Sequence, residues 1–382
     1  MQAATYSKRI ERFQAALAGQ ADLAFFPISA DLQYLAGVQR EMPTFGAVRH
    51  PGGWVEGIWI TPHAAPLMAL TRMTADFNNP GGMNDVLVLG DHDSPEALLK
   101  EIIRKLGIEE LTTIAFGERT SGETMIQVRQ AFPAADFCSA SELLIPQRMI
   151  KDEAEIAVMR KAGRITEAAF TDALKHLKHG MAEVEVMLEV DYQLKMHGAF
   201  GPSFNTTLYA VGPEHELFFN QPEETWRRPL DPPVSILFDF GAIHQGYCYD
   251  FGRTVYFGTP DAEMVEVHRL VMASQEAGIA ALRAGQARAE EVDDAARNVI
   301  TAAGMGAAFR HRLGHAIGLD VHEAPFLTKG DRRIVQEGML FTVEPSIIVP
   351  FGSSARVEDV VLVGKDGGIP LTTSFQDLIV IE

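Results

Sequence analysis

The sequence predicts an α/β domain followed by an α+β domain. Three observations carry this. The chain has 382 residues, more than one ordinary core accommodates. In its first part, strand-length apolar runs alternate with amphipathic helical segments. From Lys151 onward, long helices alternate with strand pairs of antiparallel type. The expected domains are residues 1–150 and 151–382.

YSKRIERFQAALA, residues 6–18, has the periodicity of an opening amphipathic helix. ADLAFFPIS, WVEGIWIT, APLMALTR and DVLVLG then read as strands. SPEALLKEIIRKLG and ETMIQVRQAF read as helices on either side of the strand TTIAFG. The α/β pattern ends near SELLIPQRMI. Asp152 and Glu155 then make a D-x-x-E helix start of capping-box type. Behind it Ile156, Met159, Ala162, Ile165, Ala169 and Ala173 recur at helical spacing. Further helices are expected at 183–198 and within 261–285 and 287–304. Strands are expected at 206–212, 235–258, 339–349 and 355–364.

At 47% hydrophobic and 22% charged, the composition is that of an ordinary globular protein. No apolar run approaches the length of a membrane span. Lys8, Arg9, Glu11 and Arg12 interrupt the first twenty residues, so no signal-peptide segment is expected, which favours a cytoplasmic address. A net charge of −18 with no basic block argues against nucleic acid and anionic membranes as partners. Cys138 and Cys248 form neither a disulfide framework nor a metal knuckle, and both are expected to be buried small hydrophobes. No GxGxxG follows a strand, and GMGAAF from Gly304 lacks the third glycine, so nucleotide binding is disfavoured.

The second half repeatedly places an ionisable residue among apolar ones. SILFDFGAIHQGYCYDFGRT reads as a hairpin carrying Asp239 and Asp250. Glu344 lies in MLFTVEPSIIV and Glu358 in ARVEDVVLV. HRLGHAIGLDVHEAP carries His311, His315 and His322. Any one of these has a structural explanation. Together they suggest convergence. Two like charges ~4 Å apart repel by about 4 kcal/mol at an effective dielectric of about 20. Four carboxylates would take up protons, or two divalent cations would neutralise them. Oxygen ligands plus one imidazole suit Mn²⁺, Co²⁺, Zn²⁺ or Fe²⁺. Such ions make water a nucleophile at neutral pH.

Order and spacing resemble the pita-bread metallopeptidase family of prolidases, Xaa-Pro aminopeptidases, methionine aminopeptidases and the metal-free creatinases. DLQYLAGV resembles its N-terminal-domain motif. KDEAEIAVMRKAGRI, DFGA…GYCYDFGRTV, HRLGHAIGLDVHEAP, TVEPS and ARVED follow in family order. The resemblance covers nearly the whole chain. It implies a creatinase/prolidase-like N-terminal domain and a pita-bread catalytic domain. Two divalent ions per chain are implied, Mn²⁺ or Co²⁺ first, then Zn²⁺ or Fe²⁺. Asp239 would chelate one ion, Asp250 and Glu358 would bridge, and His315 and Glu344 would hold the other. Glu344 would also orient or deprotonate the attacking water. His322 would hydrogen-bond the scissile carbonyl or its oxyanion. His311 and Arg356 are grouped on the substrate side, His311 alternatively as a structural residue and Arg356 as the group that orients Glu358. The implied protein is a cytoplasmic homodimer that cleaves short peptides, foremost at Xaa-Pro bonds.

Two positions depart from the family pattern. In VGPEHELFFNQPEETW, Asn220 stands where a histidine is usual, and His215 lies in a different context. Asparagine can donate a hydrogen bond but cannot carry a proton at neutral pH, so Asn220 is expected to position substrate only. Ser346 replaces the usual glycine after Glu-Pro. Two further readings therefore stay open. One is another metal-dependent reaction, ectoine-type amide hydrolysis or dimethylsulfoniopropionate lysis. The other is a non-catalytic binding member.

Overall fold

The computed structural model describes residues 3–40, 51–78, 86–217 and 226–381. The chain folds as two compact units, Met1–Arg148 and Met149–Glu382.

The first unit is built on a six-stranded sheet. Its order is Val86–Leu89, Leu67–Thr71, Gly57–Ile60, Leu23–Pro27, Thr113–Phe116, Asp136–Ser139. Leu23–Pro27 pairs antiparallel with Gly57–Ile60 and parallel with Thr113–Phe116, so the sheet is mixed. Period-two alternation sends Leu23 and Phe25 into a core with Trp59, Ile114 and Phe116. The opposite face carries Phe26, edge-on to Phe13 of the helix Ala3–Leu17 at 5.1 Å. DLQYLAG forms the short helix Ala30–Ala36, capped by Ser29 at its start and by left-handed Gly37 at its end. The aspartate of that motif is structural. Asp31 is buried and accepts from Arg148 Nη1 at 2.6 Å and Ser141 Oγ at 2.9 Å. Cys138 differs from expectation. It is exposed, because its strand forms the sheet edge, while Cys248 is buried as expected.

The second unit opens with the helix Glu153–Leu174. Its capping box is reciprocal, with Asp152 Oδ1 accepting from Glu155 N and Glu155 Oε2 accepting from Asp152 N, both at 2.9 Å. Two sheets follow. One runs Ile379–Ile381, Phe251–Phe257, Val234–Phe240, Thr207–Val211. The other runs Glu323–Leu327, Gly314–Ala316, Leu340–Val343, Asp359–Val363, Gly368–Pro370. Helices Ala262–Ala281 and Ala289–Ala302 cover a core that includes Val271, Val292, Ala296, Phe341 and Val361. The two sheets are joined by one isolated bridge. Gly252 N donates to Glu358 O at 3.2 Å and Glu358 N donates to Gly252 O at 2.9 Å. Glycine lets the chains approach closely at that crossing, where a Cβ on Gly252 would press on Glu358 Cβ at 3.0 Å and Phe238 O at 3.1 Å.

The predicted 235–258 hairpin is more elaborate than two strands. Ala242–His244 and Tyr247–Cys248 interrupt it and belong to a separate three-stranded sheet. Asp250 therefore lies just ahead of the strand Phe251–Phe257, outside its ladder.

Candidate metal centre

Five residues meet where the two sheets join. Asp239 sits near the end of its strand, opposite Gly252. Asp250 enters from the two-residue link between Tyr247–Cys248 and the next strand. His315 is central in Gly314–Ala316, Glu344 follows Leu340–Val343, and Glu358 precedes Asp359–Val363. Asp250, His315, Glu344 and Glu358 are all buried. Ligand atoms of Asp250, His315 and Glu358 lie within 4.8 Å of one another. His315 Nε2 is 3.4 Å from Glu344 Oε1 and 3.7 Å from Asp250 Oδ2.

The arginine between the carboxylates is Arg356. Its Nη1 lies 2.9 Å from Asp239 Oδ2, and its Nη2 lies 2.7 Å from both Glu344 Oε2 and Glu358 Oε2. One guanidinium does not balance four acids. Burial first, then Asp239 and Glu344, push the Asp250 carboxyl well up. Burial first, then Asp250 and Glu344, push Glu358 well up. Glu344 is raised by burial, with Arg356 opposing. His315 is held down to about 3, chiefly by burial and then by His322. It is a neutral imidazole, the ligand form. Asp250 Oδ1 and Glu358 Oε1 are buried without any hydrogen-bond partner. Orphaned buried carboxylate oxygens are costly and rare. With a neutral imidazole beside them, they fit hard divalent cations.

Several groups fix this geometry. Thr342 Oγ1 donates to Glu344 Oε1 at 3.1 Å and accepts from His315 N at 3.0 Å. Behind Glu358, Asp359 is buried with full satisfaction. Its Oδ1 accepts from Arg253 Nη2 at 2.8 Å and from Thr372 Oγ1 at 3.1 Å, and its Oδ2 accepts from Gln275 Nε2 at 3.0 Å. Arg253 Nη1 also donates to the carbonyls of Gly252 and Glu358, at 2.7 and 2.8 Å, bracing the bridge between the sheets. The sequence reading does not single out Arg253, Asp359 or Thr342. Arg253 and Asp359 carry the same signal as the ligand candidates, charge in an apolar strand, inside motifs already quoted.

The substrate-side candidates separate. His322 is exposed, its ring edge-on to the buried His315 at 4.2 Å. Burial first, then Arg312, lower its pKa. That shift favours the neutral ring, which has an N–H to offer. His311 has both ring nitrogens engaged within the protein. Nδ1 is 2.7 Å from Arg312 O, and Nε2 is 2.6 Å from Ser346 Oγ. Ser346, where the sequence departs from the usual glycine, is thus a partner for that imidazole. His215 places Nε2 3.1 Å from Pro229 O, and its Nδ1 is buried without a partner. Asn220 lies outside the described residues.

Residues 157–365 match the model of metallopeptidase family M24. An Xaa-Pro dipeptidase of Lactobacillus helveticus is 33% identical over 299 residues, 78% of this chain and 80% of that one. An Xaa-Pro dipeptidase of Pyrococcus horikoshii is 32% identical over 279 residues, 73% of this chain and 76% of the relative. Among solved structures, a dipeptidase from Pyrococcus horikoshii OT3 superposes with a TM-score of 0.83 at 28% identity, covering 98% of this chain and 100% of its own. A prolidase from Thermococcus sibiricus gives a TM-score of 0.85 at 26% identity, covering 98% and 99%. The second unit therefore has the pita-bread fold that the motifs implied, and the first is α/β.

Proposed function

The chain belongs to metallopeptidase family M24, and from that premise we propose that it hydrolyses short peptides at Xaa-Pro bonds, as a dipeptidase or aminopeptidase. The observation that carries this reading is the convergence of Asp239, Asp250, His315, Glu344 and Glu358, with two carboxylate oxygens left open. These five residues would hold two divalent ions, Mn²⁺ or Co²⁺ in first place. When bound, such ions acidify water and polarise the peptide carbonyl.

The protein's own groups supply the rest. Glu344 takes the proton of the attacking water on its carboxylate, while Arg356 and Thr342 hold that carboxylate in place. His322, neutral and exposed, donates its N–H to the carbonyl oxygen as charge develops there. Arg356 orients Asp239, Glu344 and Glu358, since all three engage its Nη atoms. His311 supports the ligand strands through Ser346. Asn220 hydrogen-bonds substrate without carrying a proton.

The reading includes a cytoplasmic homodimer whose domains fall near residues 1–150 and 151–382. No helix among the described residues is long and apolar enough to cross a membrane. Sedimentation of the purified protein tests the dimer.

The deciding experiment is a substrate panel on Mn²⁺- or Co²⁺-reconstituted protein. Xaa-Pro dipeptides and tripeptides are compared with Xaa-Ala peptides and ectoine. Selective Xaa-Pro cleavage with close to two bound ions per chain is the expected result. Cleavage of ectoine alone would replace the peptidase reading, and a folded, active, metal-free protein would overturn the metal assignment. Asn220→His should then raise Xaa-Pro turnover and alter the pH–rate profile.

A further inference from the structure

Among the described residues the exposed His322 ring makes no hydrogen bond. It meets only the ring of His315, edge-on, with centres 4.2 Å apart. A ring that donates to a developing oxyanion must nevertheless be held close to one orientation. The backbone therefore carries the aim. Residues 317–322 connect the strands Gly314–Ala316 and Glu323–Leu327, and His322 is the last of them.

That connection is fastened to a buried ion pair. Glu323 follows His322 directly, and its Oε2 accepts from Lys151 Nζ at 2.9 Å. The lysine side chain is 1% exposed and the glutamate side chain 8%. The other oxygen, Oε1, accepts from Asp320 N at 3.2 Å, so the carboxylate clasps the connection to the start of the strand. Gly318 leaves room for the pair, since a Cβ there would meet Glu323 Oε1 at 2.9 Å and Lys151 Cε at 3.0 Å. Gly318 O in turn accepts from Cys248 N at 2.8 Å, on the segment that leads to Asp250. The lysine is itself fixed. Its backbone N donates to Gly338 O at 2.9 Å, and it directly precedes Asp152, the N-cap of Glu153–Leu174.

Stability alone does not account for such a pair. Taking two charges out of water offsets much of their attraction, and apolar replacements of similar volume are often no less stable. What distinguishes this pair is its place, between the capped end of a long helix and the residue that follows His322. We propose that Lys151 is a positioning residue of the reaction, which through Glu323 fixes the 317–322 connection and so aims the His322 ring at the scissile carbonyl. This rests on the peptidase reading above.

The test uses Mn²⁺-loaded enzyme and Ala-Pro. Lys151→Met should lower kcat by about ten- to a hundredfold, the upper end being the cost of a ~1 Å misplacement, with KM and metal content unchanged. That variant also strands the Glu323 carboxylate. The decisive protein is therefore Lys151→Met combined with Glu323→Gln, which should regain the wild-type melting temperature and keep the low kcat. Recovery of kcat together with melting temperature would make the pair purely structural and overturn the proposal. A cycle with His322→Ala checks the route. In that background the same double change should alter kcat by no more than about twofold, and a full further loss would mean that Lys151 does not act through His322. Absence of any Xaa-Pro cleavage would instead overturn the peptidase reading. Histidine-selective NMR labelling then still decides Lys151. The His322 ring signals, assigned by their loss in His322→Ala, should shift or broaden in the double variant, and unchanged signals would sink the assignment.

Discussion

Glu358 and Asp359 are adjacent, equally buried and opposite in design. Asp359 has both carboxylate oxygens engaged, between Arg253, Thr372 and Gln275. Glu358 leaves Oε1 without a partner, and Asp250 does the same with Oδ1. Burial raises the pKa of both neighbours. At Asp359 the next cause, Arg253, opposes the rise, whereas at Glu358 the next causes, Asp250 and Glu344, add to it. A buried acid serving the fold is neutralised by its surroundings. A buried acid of the candidate metal centre is left incomplete.

The sharpest way to break this contrast is Asp250→Ala. Hydrolysis should be abolished, while the melting temperature of the metal-free protein should hold or rise, because the variant relieves crowding among raised acids. A marked fall in that temperature would make Asp250 structural and erase the distinction. On the other side stands Arg253→Met, which strands Asp359 without its cation. Urea unfolding of the metal-free protein should show a loss of about 3–5 kcal/mol. If that variant unfolds like the wild type, the satisfied network contributes nothing.

His322→Ala should lower kcat by about 10²–10³-fold, or about 2.7–4 kcal/mol, with metal content unaltered. Loss of metal by elemental analysis would instead class His322 with the ligands. The smallest effect concerns His268, buried near Arg253. Burial first, then Arg253, depress its pKa from 6.5 to about 4. The folded state therefore keeps it neutral where the unfolded chain takes up a proton. Stability should be fully present above pH 6.5 and lost as pH falls toward about 4. The loss is on the order of 3 kcal/mol, since each tenfold change in proton affinity is worth about 1.4 kcal/mol. Unfolding curves of His268→Gln should be flatter across that interval.

The fold was legible wherever periodicity was strong. Asp152 and Glu155 announced a helix, and the capping box is present as read. The ligand candidates were legible because Asp239, Glu344 and Glu358 interrupt apolar runs. Asp250 reads as part of a strand because Tyr249 and Phe251 are apolar, yet it sits in the irregular link before that strand, where leaving the ladder frees it to face His315. The Arg253–Asp359 pair was hidden for a physical reason. Partners 106 residues apart give no local pattern, and each reads alone as a solvent-facing charge. The exposure of Cys138 was equally hidden, because strand order decides which strand lies at an edge.

The bridge between Gly252 and Glu358 gives this protein a built-in clock. Its two amide protons exchange with solvent when that bridge opens, and the bridge lies among the acids of the candidate centre. Deuterium uptake at those two backbone positions therefore times the opening of the centre itself, with no substrate, metal or engineered label needed to read it.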